Sequence, residues 1–188
     1  MRAMVVGLIV TIGGLLLIGF KAGVGPEGPS SAYSISLCFG FLAAALVYFI
    51  CDENESLKRF VEAQEKDQTY LRALEELRTG EKTGHWIWWV FPQMKGLGSS
   101  HNSSFYGLTD EDEAWDYFRH PILGGRYRDC VAVVHGHLCQ GGVAPLTLMG
   151  SEVDVLKLRS SLELFLKVAP PCHETFRKQA EEILKVLG

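Results

Sequence analysis

The stretch His85-Trp86-Ile87-Trp88-Trp89-Val90-Phe91-Pro92-Gln93 gathers three of the chain's four tryptophans, a phenylalanine and polar groups able to meet a ligand within nine residues. Each indole offers a wide apolar face and one N–H that seeks an acceptor. Adjacent indoles beside an imidazole and an amide therefore suit a lined binding pocket, and equally an aromatic core helix. His85 opens the block, where an imidazole could act as acid, base or donor near neutral pH, or serve as a satisfied structural residue. Farther on, His120-Pro121-Ile122-Leu123-Gly124-Gly125-Arg126 sets a histidine just before a helix start and an arginine within its first two turns. Free backbone N–H groups plus a guanidinium suit a phosphate or carboxylate. The plainer reading caps the helix with His120 and pairs Arg126 with a surface acid. Lys157-Leu158-Arg159-Ser160-Ser161 places Lys157 on one helical face with Ser160 or Ser161, an arrangement that can activate a serine, although both residue types are common in helices. With Tyr106 and Gln93, which no solvated helix face explains, the candidate ligand-binding set is His85, Trp86, Trp88, Gln93, Tyr106, His120, Arg126, Lys157 and Ser160.

Other chemistries find little support. His135 and His137 fall on different helix faces, and Cys130, Cys139 and Cys172 lack C-x-x-C spacing, so neither a metal site nor a disulfide framework is indicated. The chain contains no P-loop, no G-x-S-x-G elbow, no H-E-x-x-H pair and no dinucleotide-type glycine fingerprint. The residues thus leave any reaction and any cofactor undetermined.

The elements that must carry these side chains read as helices. Leu57, Phe60, Val61, Tyr70, Leu71, Leu74 and Leu77 recur at three- and four-residue spacing, which predicts two amphipathic pieces broken near Asp67, with Asp67 capping the second and Gly80 closing it. Glu62, Glu65, Lys66, Glu75, Glu76 and Arg78 read as the solvated face. The tryptophan block reads as a short helix stopped at Pro92, and Lys95 to Ser104 as a glycine- and serine-rich loop. Thr109 followed by acids predicts a helix to about Arg119. Pro121 opens another that ends at Gly141 and Gly142, Ser151 caps one running to about Val168, and a last amphipathic helix follows Pro170 and Pro171. The part after Cys51 is therefore expected to be all-α.

The chain's N-terminal part is different. Met4–Phe20 and Tyr33–Cys51 are uncharged runs of 17 and 19 residues, against about 20 needed to cross a bilayer as a helix. They predict an N-terminal two-helix transmembrane hairpin over residues 1–51, joined by the Gly- and Pro-rich segment from Lys21 to Ala32, ahead of a compact multi-helix domain over 52–188. A cleaved signal peptide over the first run is the rival, with Lys21 counting against it. Arg2 before the first run and Lys58, Arg59 and Lys66 after the second favour a membrane location with the C-terminal domain facing the cytoplasm. Residues 52–188 hold sixteen basic and twenty-one acidic side chains, which disfavours nucleic acid as a partner.

Five separated blocks resemble the bacterial domain-of-unknown-function 1810 family. They are Leu57 to Gln64, Gly84 to Gln93, Gly96-Leu97-Gly98, His120 to Gly124 and Lys157 to Ser161, and the resemblance spans roughly Leu57 to Leu184. It implies a compact, all-helical domain and supplies no activity, substrate or cofactor. The two uncharged runs lie outside it, and Cys139 to Pro145 looks like a longer loop than is usual. Two functions are expected to compete. One is a membrane-anchored domain whose aromatic pocket binds or processes a small anionic, nucleotide-like ligand; the other is a non-catalytic module whose aromatic block docks a protein partner. Oligomeric state is not legible.

Overall fold

The computed structural model describes residues 55–188, which fall within one compact unit of the chain and whose regular structure is helical, with turns and loops between the helices and an isolated bridge between Met94 and Leu108. The predicted hairpin over residues 1–51 lies outside the described residues; among the described residues no helix is long and apolar enough to cross a membrane.

The two amphipathic pieces are α1 (Glu55–Glu65) and α2 (Thr69–Thr79). Asp67 marks the break but does not cap α2. Asp67 and Gln68 both adopt left-handed backbone, with φ of 52° and 57°, so the chain turns through two residues that would each prefer otherwise by about 1–2 kcal/mol. Gly80, at φ 84°, ends α2 as expected, its N–H returning to the carbonyls of Glu76 and Leu77.

The tryptophan block forms α3 (Ile87–Val90), a single turn. The segment expected to be a loop contains another, α4 (His101–Phe105), because Ser100 accepts a hydrogen bond from the Ser103 N–H and starts a helix there. In α5 (Glu111–Arg119) the cap is Asp110 and not Thr109. Asp110 accepts from the Glu113 N–H at 2.8 Å, while Thr109 gives both its N–H and its hydroxyl to the Glu113 carboxylate.

The next helix, α6 (Leu123–His135), continues through a π-turn, Gly136–Gln140, and ends at Gly141. A short α7 (Pro145–Met149) precedes α8 (Glu152–Val168), whose cap Ser151 accepts from the Asp154 N–H at 3.2 Å. The last helix is α9 (Glu174–Leu187). Its partners are α6 and α8; α6 also packs on α2 and α5, and α8 on α5 and α7.

Aromatic rings fill the centre. Tyr127 lies 4.3 Å from Phe165 between ring centroids, Tyr117 stands edge-on to Phe60 at 5.1 Å, and Phe118 meets Phe176 at 5.0 Å. Such pairs add about 0.5–1.5 kcal/mol each beyond simple burial. Gly124 is obligatory here, since a side-chain carbon at that position would run into the Phe118 carbonyl where α5 and α6 meet.

Candidate functional site

A helix of four residues cannot satisfy its own backbone, so α3 is tied down from outside. Gln64 of α1 donates to the Trp89 carbonyl at 2.8 Å and to the Tyr117 hydroxyl at 3.1 Å; Tyr117 donates to the same carbonyl. From α2, one oxygen of Glu76 accepts three N–H groups, those of Thr83 and Gly84 at 2.8 Å and the Trp86 indole at 2.7 Å. Burial pushes the Glu76 carboxyl up, but the Gly84, Trp86 and Thr83 donors outweigh it and hold the group below its ordinary value.

Beside this turn lies a charged cluster. Asp154, in the first turn of α8, receives Lys82 at 2.6 Å on one oxygen and Lys157 at 2.8 Å on the other. Lys82 also donates to the Gly84 carbonyl at 2.6 Å. The Lys157 ammonium sits 3.7 Å from the centre of the Trp88 ring, and Lys82 sits 5.1 Å from that of Trp86. The Lys82 side chain is only 6% exposed. Desolvation raises the Asp154 carboxyl, yet the hydrogen bonds and charges of Lys157 and Lys82 prevail and lower it.

Eight of the nine candidates divide among three places, with Ser160 apart from them. Trp86, Trp88 and Lys157 gather here, and the exposed His85 adjoins them in the chain. Trp86 is 2% exposed with its indole N–H given to Glu76, so it cannot stack on a ligand; that expected role is corrected by its burial. The face of Trp88 is likewise occupied by an ammonium. Gln93 and Tyr106 have other partners. Gln93 is buried and takes the Leu108 N–H on its backbone carbonyl, and Tyr106 packs against Trp89 at 5.2 Å, where the Trp89 indole N–H is buried without an acceptor.

The third place is the start of α6. His120 Nδ1 accepts from the N–H groups of Ile122 and Leu123, both at 3.3 Å, which realises its capping role; burial, then the nearby Arg126 charge, lower its pKa and favour the neutral ring. Arg126 donates to Gln64 at 3.2 Å and lies over the Tyr70 ring. Ser160 is half-buried on α8, and it is Ser161 whose hydroxyl bonds, to Tyr127 at 3.1 Å.

Four residues that matter were missed as site members: Gln64, Glu76, Lys82 and Asp154. Glu76, expected on the solvated face, is instead an internal acceptor. A sequence signal existed for Asp154, since an aspartate three residues before a lysine can pair along a helix.

A separate cavity of about 480 Å³ opens between α6 and the start of α9, bordered by Arg128, Asp129, His173 and Glu174, and holds none of the nine candidates.

DUF1810, described as a protein of unknown function, matches residues 54–185. Among solved structures the chain resembles a conserved hypothetical protein, Rv1873, of Mycobacterium tuberculosis. The two are 37% identical with a TM-score of 0.60, over 69% of this chain and 84% of that one. No curated protein matches the chain.

Because the folded Asp154 carboxyl titrates below its ordinary range, the stability it contributes is complete above that range and is lost as pH falls through the folded value. Asp154→Asn is expected to lower stability near neutral pH by about 3 kcal/mol, since it leaves two ammoniums unpaired. The gap to the native chain should narrow below about pH 4. Urea unfolding of both proteins at neutral pH and at about pH 3 measures this, and an unchanged gap would contradict the pairing.

Proposed function

The chain belongs to the DUF1810 family of proteins of unknown function, and from that premise we propose that it binds a small anionic ligand, nucleotide-like in its phosphate, at the Lys82–Asp154–Lys157 cluster. The observation that carries this reading is that two ammoniums share one carboxylate in a largely desolvated setting, leaving a surplus positive charge. An uncompensated charge removed from water is costly, and an oxyanion is its natural complement. Glu76 is close in sequence to Lys82 but turns one oxygen to three N–H groups, and among the described residues no ion pair joins it to either lysine. His85, exposed and next to Trp86 in the chain, would be a further donor if it turns toward the cluster.

The tryptophans support this role by fixing the ammoniums and not by stacking on the ligand, because Lys157 already covers Trp88. Binding is favoured over turnover: the α8 hydroxyl that makes a hydrogen bond, Ser161, turns to Tyr127 and not to Lys157. The cavity beside α9 suits an anion less well, since Arg128 there is opposed by Asp129 and Glu174. Docking of a protein partner by the aromatic block has less support, because Trp86, Ile87, Val90 and Phe91 all face inward. The same reading keeps the domain anchored by the uncharged runs 4–20 and 33–51 and facing the cytoplasm.

Calorimetric titration of the full chain with ADP-ribose, ADP and inorganic phosphate tests the site. Lys157→Gln should weaken binding by about tenfold or more, the scale of one charge-assisted hydrogen bond, while Arg126→Gln should leave it unchanged. No binding, or binding indifferent to Lys157 and Lys82, would contradict the reading. For the anchoring, a membrane-impermeant maleimide should reach the exposed Cys172 only after the cells are lysed; labelling of intact cells would place the domain outside.

A further inference from the structure

We propose that the anion taken by this cluster is amphipathic: a phosphate or carboxylate head on Lys82 and Lys157, with an alkyl chain lying along the adjoining apolar surface. The proposal rests on the anion-binding reading above and names its ligand class. Val153 and Leu156, three residues apart on α8, are 59% and 61% exposed, and Lys157 follows Val153 by four, so the three share one side of the helix. Each immediately precedes a member of the charged cluster, Val153 before Asp154 and Leu156 before Lys157. The short helix α7, which packs on α8, also carries an outward apolar side chain, Leu146 at 51% exposure. An amphipathic helix ordinarily presents polar side chains at its exposed positions. Here the first turns of α8 instead pair outward-facing apolar groups with a cation fixed over an indole. A free phosphate would use the ammoniums and leave Val153, Leu156 and Leu146 in water; a chain attached to the head would cover them. Each methylene so covered is worth up to about fourfold in affinity at full burial.

The test compares n-decyl phosphate, below its micelle concentration, with n-butyl phosphate and decanol, by calorimetry on the full chain in nanodiscs with empty nanodiscs as the blank. Decyl phosphate is expected to bind at least about tenfold more tightly than butyl phosphate, and decanol far more weakly than either. Val153→Ser combined with Leu156→Ser should erase the advantage of the long chain and leave butyl phosphate binding intact, whereas Lys157→Gln should weaken both phosphates. Equal affinity for the two phosphates would overturn the proposal while leaving the anion reading standing. Binding of neither would remove both readings. Decanol binding as tightly as decyl phosphate, or capture only by phosphatidic-acid vesicles with none of free decyl phosphate, would also overturn it.

Discussion

The aromatic turn Ile87–Val90 is too short to stand alone, and the arrangement around it follows from that constraint. A longer helix would satisfy its backbone internally and need only an apolar face. The Trp89 carbonyl of this turn and the indole N–H of Trp86 just before it need partners in the interior. Gln64 from α1 and Tyr117 from α5 meet the carbonyl and Glu76 from α2 takes the indole, so three helices are tied to one short segment. Each of those bonds is modest in net terms, but leaving a buried polar group unpaired would cost about 1–3 kcal/mol, which makes the set mutually dependent.

The charged cluster extends the same logic. The linker that brings the chain from α2 to α3 carries Lys82, and Glu76 pins that linker through Thr83 and Gly84. Lys82 can then reach across to Asp154 at the head of α8, where Lys157 is already held one helical turn away. The result is an electrostatic imbalance created by geometry: one carboxylate is sufficient to tie two elements together but insufficient to neutralise both lysines. A structural staple could have been built from one lysine and one aspartate, and the second lysine is the feature on which the proposed anion binding rests.

Much of the helical layout was legible because helix ends depend on local chemistry. Gly80 closes α2, Ser151 caps α8, and Pro170 and Pro171 separate the last two helices, each by a rule that needs only neighbouring residues. The error at Thr109 was one residue wide, since Thr109 and Asp110 both carry an oxygen able to cap. The turn α4 was hidden because glycine and serine signal a loop even where a serine cap nucleates a helix. The site was harder to read. Glu76 has the spacing of a surface charge and Lys82 the setting of a solvated linker, and their roles come from partners supplied by the fold. His120 and Arg126 looked like anion ligands by spacing, but the cap at Ile122 and Leu123 and the bond to Gln64 use those groups. Trp86 and Trp88 have the residue type of stacking surfaces, and their neighbours make them supports for ammonium groups.

The central claim is that an oxyanion sits between Lys82 and Lys157. Anomalous diffraction from crystals soaked in tungstate tests it most directly. The account predicts a tungsten peak whose oxygens lie within hydrogen-bond reach of both Nζ atoms. A map with no peak there, and with the signal at the Arg128 and His173 cavity instead, would contradict it.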